Sequence, residues 1–131
     1  QGFIEKHVFE VDDYNTNIAE KAIIHDNIDI FRYLMSLKEV KAKYTDLSHQ
    51  WLFRLLTRLF VASADQNMVN AVFETLQLSK QQIGALLTYK CPAETRRFGR
   101  GAVPYQYYTI LTRIAFCKKL ESMKRVKELV D

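Results

Sequence analysis

The sequence has few of the residues that interrupt helices, with 4 Gly and 2 Pro among 131 residues. A many-stranded β protein needs such residues at its turns, so their scarcity argues against that class. The 48% hydrophobic and 26% charged residues exclude a disordered segment. A chain of this length can bury a core without a disulfide or a metal. We therefore predict an all-α domain at 15–131, preceded by an extended arm or linker at 1–14.

The sequence also lacks the signs of secretion and of membrane insertion. Two Cys form no disulfide framework, and no Asn-X-Ser/Thr glycosylation acceptor occurs. No apolar run approaches the roughly 20 residues that span a bilayer, and the amino end lacks the apolar stretch of a signal peptide. We expect an intracellular, cytoplasmic protein with no membrane span. Because the chain opens with Gln1 rather than Met, we expect it to be part of a longer protein.

Motifs of catalysis and of metal binding are missing. His7, His25 and His49 lie far apart and have no Cys or carboxylate partner at metal-ligand spacing. Cys91 follows Lys90, but no His stands nearby in the sequence to act as its base. Neither a phosphate-binding Gly-Lys-Ser/Thr nor a Gly-X-Ser-X-Gly nucleophile motif occurs. We predict that the chain is not an enzyme and holds no metal or cofactor.

About seven helices are predicted from apolar spacing and from capping residues. The expected amino-terminal caps are Asn15 or Asn17, Asp46 or Ser48, Asp65, and Ser79 in a capping box with Gln82. The first two helices are expected to break at 25–27. The segment 38–46 is predicted to be a polar connection. Pro104 is placed in the first turn of a helix at 104–119, in which Cys117 packs inward.

Most of these helices fall into pairs, and two pairs resemble each other. Residues 51–68 and 106–123 share Leu-Thr-Arg and a terminal Met at a separation of 55 residues. The turn after Ala22 echoes the turn after Ala62. Such self-similarity predicts helical hairpins stacked into a short α-solenoid. The alternative is a compact bundle of six or seven helices without true repeats.

The stretch AIIHDNIDIFRYL at 22–34 resembles the second half of an ankyrin repeat. The matching residues are Ala22, Ile28, Asp29, Ile30, Phe31, Arg32 and Leu34. TILTRIA at 109–115 is similar to the opening of such a repeat, with Thr109, Leu111 and Ala115 at the matching places. Asp26 stands where the family has a turn Gly, and the spacings of about 40 and 55 residues differ from the family's 33. The resemblance implies a module that binds other proteins and has no activity of its own.

Arginine and aromatic residues alternate in the longest predicted loop, at 89–104 and just beyond it. The candidate partner-binding residues are Lys90, Arg96, Arg97, Phe98, Arg100 and Tyr105. Arg and aromatic side chains serve both protein hot spots and single-stranded nucleic-acid sites, and the arginines can equally serve only to solvate a loop. Residues 90–131 hold ten Lys or Arg against four acids, whereas residues 1–30 hold two Lys against seven acids. The basic carboxy-terminal part therefore favours an acidic partner.

These observations predict a non-enzymatic protein-binding module of a larger intracellular or effector protein. It would bind through a helical surface and the loop at 90–105. One alternative is a nucleic-acid-binding domain that uses the same loop. The other is a helical accessory domain of an enzyme whose catalytic residues lie outside this segment.

Overall fold

The computed structural model describes residues 2–46, 50–63, 65–92 and 107–131, and over these ranges the protein is all-α. The helices are α1 (Phe3–His7), α2 (Ile18–Ile24), α3 (Ile28–Ser36), α4 (Lys38–Tyr44), α5 (Gln50–Thr57), α6 (Gln66–Leu76), α7 (Lys80–Leu87), α8 (Ile110–Phe116) and α9 (Leu120–Val130). The π-helical residues Arg58–Ala62, called here the π segment, continue α5. Two-residue strands β1 (Cys91–Pro92) and β2 (Tyr107–Tyr108) pair antiparallel.

The helices begin where capping side chains satisfy their first backbone N–H groups. Asn17, Ser79 and Thr109 each form a capping box with the residue three positions later. Asp65 caps α6 by accepting a hydrogen bond from the backbone N–H of Asn67 at 2.8 Å. The predicted caps Asn17, Asp65 and Ser79 are therefore confirmed, and α2 and α3 separate at 25–27 as expected.

Some local expectations differ from the structure. Helix α1 occupies part of the segment 1–14, for which an extended arm or a linker was predicted. Helix α4 replaces the polar connection, because Val40 and Tyr44, four residues apart, are both buried. The last hairpin's first helix begins at Ile110 rather than near Pro104, because Thr109 caps it and β2 precedes it.

The helices pack in two layers. The front layer contains α2, the π segment and α8, with the π segment in contact with both helices. The back layer contains α3, α6 and α9: α3 packs on α6, and Arg125 of α9 donates a hydrogen bond to Asn70 of α6. Within the hairpins, α2 packs on α3 and α8 packs on α9, while Phe60 and Phe73 join the π segment to α6. The described hairpins therefore lie side by side.

The core lies between these layers. Its largest completely or almost completely buried side chains include Phe31, Leu52, Leu55, Leu56, Leu59, Phe60, Met68, Ile110 and Ile114. Leu59 and Phe60 of the π segment are buried in this core, and the backbone N–H of Ser63 donates to the carbonyl of Arg58 at 3.1 Å. The buried hydroxyl of Ser122 donates to the carbonyl of Phe60 at 2.5 Å. This bond ties α9 to the widened turn of the π segment.

The first and last hairpins have the same turn, 92 residues apart. Each begins with a capping box and a seven-residue helix, and each turns through a residue in the left-handed conformation, Asp26 (φ 54°) or Lys118 (φ 58°). The turn hydrogen bonds also correspond: Asp26 N to Ile23 O and Asn27 N to Ala22 O in one, Lys118 N to Ala115 O and Lys119 N to Ile114 O in the other. Two different sequences thus form one backbone geometry.

Candidate partner-binding surface

The base of the predicted binding loop is a two-residue antiparallel ladder. Cys91 pairs with Tyr108 and Pro92 pairs with Tyr107, so the chain leaves and re-enters the helical body at one place. Among the predicted site residues, Lys90 is described and is exposed at the start of this ladder. The others lie outside the described residues, namely Arg96, Arg97, Phe98, Arg100 and Tyr105. That these side chains form one binding site therefore stays a prediction.

The loop base is anchored at the end of α7 and at the start of α8. Tyr89 is 57% exposed, and its ring contacts Phe53 edge-on at a centroid distance of 5.5 Å. On the other side, the backbone N–H of Thr109 donates to Thr112 Oγ1 at 3.0 Å. Because Thr109 follows β2 directly, the loop re-enters the fold at the amino end of the front-layer helix α8.

The front layer presents polar, small and apolar side chains to the solvent. On α2 and at its carboxyl cap, the exposed Ile18 and His25 and the half-buried Lys21 recur at helical spacing, so they share one face. The other solvent-facing residues include the half-buried Arg58 and the exposed Ala62 of the π segment, and the exposed Thr112, Ala115 and Phe116 of α8. A surface of this kind, made from neighbouring hairpins, is what stacked helical repeats use for recognition.

A buried ion pair fixes the first helix of this layer. Glu20 of α2 is completely buried, and Arg54 of α5 donates to its two carboxylate oxygens, from Nε at 2.8 Å and from Nη2 at 3.0 Å. Glu20 Oε1 also accepts from the backbone N–H of Asn17 at 3.0 Å. One bidentate interaction with Arg54, made of two hydrogen bonds, and one backbone hydrogen bond compensate the carboxylate for its lost hydration. The pair therefore holds α2 on α5 and leaves no free acid for chemistry.

Arg54 also holds the segment that precedes α2, together with Arg58. Asn15 has a left-handed backbone (φ 58°), and its carbonyl accepts from Arg54 Nη2 at 2.5 Å and from Arg58 Nη2 at 3.1 Å. Arg54 and Arg58 are four residues apart and so lie on one side of α5 and the π segment. This places the segment before α2 against the edge of the front layer.

Aromatic rings close the other side of this ion pair. Phe9 contacts Tyr44 and Trp51 at centroid distances of 5.3 and 5.1 Å, and the Arg54 guanidinium lies 5.4 Å from the Trp51 ring centroid. Burial, followed by the charge of Glu20, raises the pKa of the Tyr44 phenol far above its ordinary value. The Tyr44 hydroxyl is buried and has no hydrogen-bond partner among the described residues.

Other chemistry-bearing groups do not assemble into a reactive site within the described ranges. No group of three or more His, Cys, Asp or Glu there could hold a metal ion. His7 pairs with Glu10 at 2.6 Å, and His25 is exposed at the end of α2. Cys117 was expected to pack inward, but it is exposed because α8 ends at Phe116 and Cys117 begins the turn.

A shallow cavity of about 160 Å³ lies between α6 and α9, beside the π segment. Arg125 and Glu128, which bond to each other at 3.1 Å, are both in its lining, together with Ser122. Glu121 and Lys124, which also line the cavity, lie 3.8 Å apart, and the buried Nε of Arg125 has no hydrogen-bond partner in the described part of the chain. Across the described residues, no helix is both long and apolar enough to cross a membrane.

Sequence reasoning missed the contacts made by Arg54. The spacing of Asn17 and Glu20 gives a visible signal, since it matches a capping box. The partner of Glu20 stands 34 positions further along the chain, and no local pattern indicates that pairing.

Comparison of the chain with protein-family models, with curated proteins and with solved structures yields no match.

Proposed function

We propose that this protein is a non-enzymatic protein-binding module, acting in the cytoplasm as part of a larger intracellular or effector protein. It binds an acidic partner through the outer face of the front layer together with the loop that ends at β2. It needs no cofactor for this activity.

The observation that carries this proposal is the shared turn of the first and last hairpins. These hairpins contain the two stretches that resemble ankyrin repeats, at 22–34 and 109–115, and they lie on either side of the π segment. Asp26, which replaces the family's turn Gly, adopts the left-handed conformation that a Gly would take. This agreement supports a divergent helical repeat, with a compact bundle as the alternative architecture.

The placement of the loop also supports recognition at this face. An ankyrin repeat joins a β-turn to two helices, and here a β ladder stands between α7 and α8. Since β2 leads directly into α8, the loop joins the helix that carries the exposed Thr112 and Ala115 of the front layer. The basic residues of 90–131 give this end of the molecule the charge that attracts an acidic surface.

The first test is capture of a partner from cell lysate, with and without nuclease, at low and at moderate salt. A stoichiometric protein that survives nuclease and moderate salt supports the proposal. Recovery of nucleic acid that is lost as salt rises would instead favour the nucleic-acid-binding alternative, in which the arginines of the loop contact phosphates.

The second test asks whether the front face and the loop form one site. Ala62→Arg with Ala115→Arg puts two bulky charges on the exposed front face, and Arg97→Glu with Arg100→Glu reverses two charges of the loop. Both pairs are expected to abolish capture while leaving the circular dichroism spectrum and the thermal midpoint unchanged.

The matched controls are Ala42→Arg with Ala85→Arg, at exposed alanines of α4 and α7, and Lys6→Glu with Lys38→Glu, at exposed lysines. Both controls should bind as the unmodified protein does. Full capture by the Ala62→Arg and Ala115→Arg protein would place the binding site away from the front layer.

A further inference from the structure

The turn between α8 and α9 exposes large apolar side chains beside lysines. Phe116 is 84% exposed and Leu120 is 64% exposed, and they flank Cys117, Lys118 and Lys119. We call residues 116–120 the hairpin tip. A loss of water contact by these two side chains would contribute favourably to any association that covers them.

The corresponding turn of the first hairpin shows that the fold does not require this composition. The backbone is the same there, but Ile24 and Ile28 are partly buried and the left-handed residue is an acid. That acid, Asp26, accepts a hydrogen bond from the Ser63 hydroxyl at 2.7 Å and so faces the protein. The exposed Phe116 and the two lysines therefore distinguish the last turn from the first, although the two turns share one backbone geometry.

The charge around the hairpin tip has one predominant sign. Residues 113–125 contain five basic side chains and one acid, Glu121, whose carboxylate lies 3.8 Å from Lys124 Nζ. Arg125 is paired with Glu128 just beyond this stretch, so the positive charge of the tip itself comes from Lys118 and Lys119. An anionic surface would be attracted to this end of α8 and α9.

We propose that the hairpin tip docks on the surface of an anionic lipid membrane. Phe116 and Leu120 enter the interfacial region, while Lys118 and Lys119 contact the headgroups. The shape favours a bilayer over a folded protein partner. A stable protein interface takes about 800 Å² from each side, which is far more than a five-residue turn can offer. A bilayer instead can be bound by a few apolar side chains flanked by cations. The attraction of each Lys or Arg to an anionic leaflet contributes about 1 kcal/mol to binding.

This docking uses the turn at the carboxyl end of α8, whereas the proposed protein-binding function uses the loop at its amino end and the outer face of the front layer. Ala115 of the front layer directly precedes Phe116, so the two surfaces adjoin at this point. The hairpin-tip variants leave the loop and the front-layer residues unchanged, so vesicle binding and partner capture are measured on each of them separately.

The experiment is co-sedimentation of the purified protein with vesicles of phosphatidylcholine alone and of phosphatidylcholine with phosphatidylserine, over a salt series. Binding to the phosphatidylserine vesicles that weakens as salt rises is expected. Phe116→Ala with Leu120→Ala should lower the partition coefficient roughly tenfold or more. Lys118→Asn with Lys119→Asn should reduce binding and flatten its salt dependence, since Asn also tolerates the left-handed position.

The matched control is Ile30→Ala with Tyr33→Ala, which removes two half-exposed apolar side chains from α3, on the hairpin at the other end of the described layers. It should bind vesicles as the unmodified protein does. Absence of binding to phosphatidylserine vesicles, or equal loss in the control and in the hairpin-tip variants, would overturn the proposal. Loss of a captured acidic protein in the hairpin-tip variants, without any vesicle binding, would likewise overturn it in favour of a protein interface.

Discussion

Asp26 and Lys118 hold the same left-handed position in two turns 92 residues apart, and the carboxylate of Asp26 is bonded to the hydroxyl of Ser63 at 2.7 Å. A residue other than Gly pays about 1 kcal/mol or more for this conformation. At Asp26 the hydrogen bond offsets that cost. Lys118 is exposed and its side chain reaches into solvent.

Replacement of each of these residues by Gly should therefore change stability by different amounts. Lys118→Gly relieves the backbone strain and should leave stability equal or raise it by up to about 1 kcal/mol. Asp26→Gly relieves the same strain but loses the bond to Ser63, so it should be less stable than Lys118→Gly by about 1 kcal/mol. Urea unfolding of both variants measures the difference. Equal free energies of unfolding would mean that the Ser63 bond contributes nothing.

Removal of the partner of Glu20 should be among the most damaging single changes. Arg54→Ala leaves a completely buried carboxylate without its bidentate partner, and we expect a loss of roughly 3 kcal/mol in the free energy of unfolding. Lys127→Ala breaks the ion pair with Asp131, in which both side chains are mostly exposed, and should change stability by less than about 0.5 kcal/mol. Thermal or urea unfolding compares the two. A small effect of Arg54→Ala would show that water reaches Glu20 and replaces the arginine.

The bond from Ser122 to the π segment should be worth a measurable amount. Ser122→Ala removes the buried donor to the Phe60 carbonyl and should cost about 1 kcal/mol, or more where that carbonyl is left unsatisfied. Ser36→Ala is the control, because its hydroxyl donates to the carbonyl of Tyr33 on an exposed part of α3. Hydrogen exchange gives a second measurement. Faster exchange of the Ser63 amide in the Ser122→Ala protein would locate the loss in the π segment.

Acid unfolding should depend partly on Asp12. The hydrogen bond with Lys21 lowers the pKa of the Asp12 carboxyl below its ordinary value, with further bonds from the backbone of Tyr14 and Thr16. A lowered pKa in the folded state gives stability that is present above the unfolded pKa and is lost as pH falls through the folded pKa. The unmodified protein should therefore lose stability below about pH 4. Asp12→Asn should show a shallower loss over the same range, and parallel pH profiles would contradict this role.

The sequence predicted those features of the fold that depend on neighbouring residues. The caps at Asn17, Asp65 and Ser79 follow from side chains that reach two or three residues along the chain, so they could be identified locally. Helix α4 was not predicted because most of its residues are charged. Val40 and Tyr44 lie four residues apart on one side of it, but the sequence does not show that both are buried. The π segment was also missed, since the same apolar residues fit an ordinary helical turn as well as a widened one.

The candidate site was predictable to a lesser extent. The basic and aromatic composition of the loop is visible in the sequence, but its position beside α8 follows from the pairing of Cys91 with Tyr108, which no local pattern indicates. The exposure of Phe116 could not be predicted either. The apolar spacing placed it in a helix continued to residue 119 beside an inward-packed Cys117, whereas α8 ends at Phe116 and the turn begins at Cys117.

The β ladder at the base of the loop also has an evolutionary consequence. Because β1 and β2 close the intervening chain at its root, its composition and length can change while the helices on either side keep their places. For a flexible loop, a doubling of its length adds only about 0.6 kcal/mol to the entropic cost of closure. Selection could thus exchange one recognition loop for another on an unchanged helical body, and related chains could differ most in the one segment that decides which partner they bind.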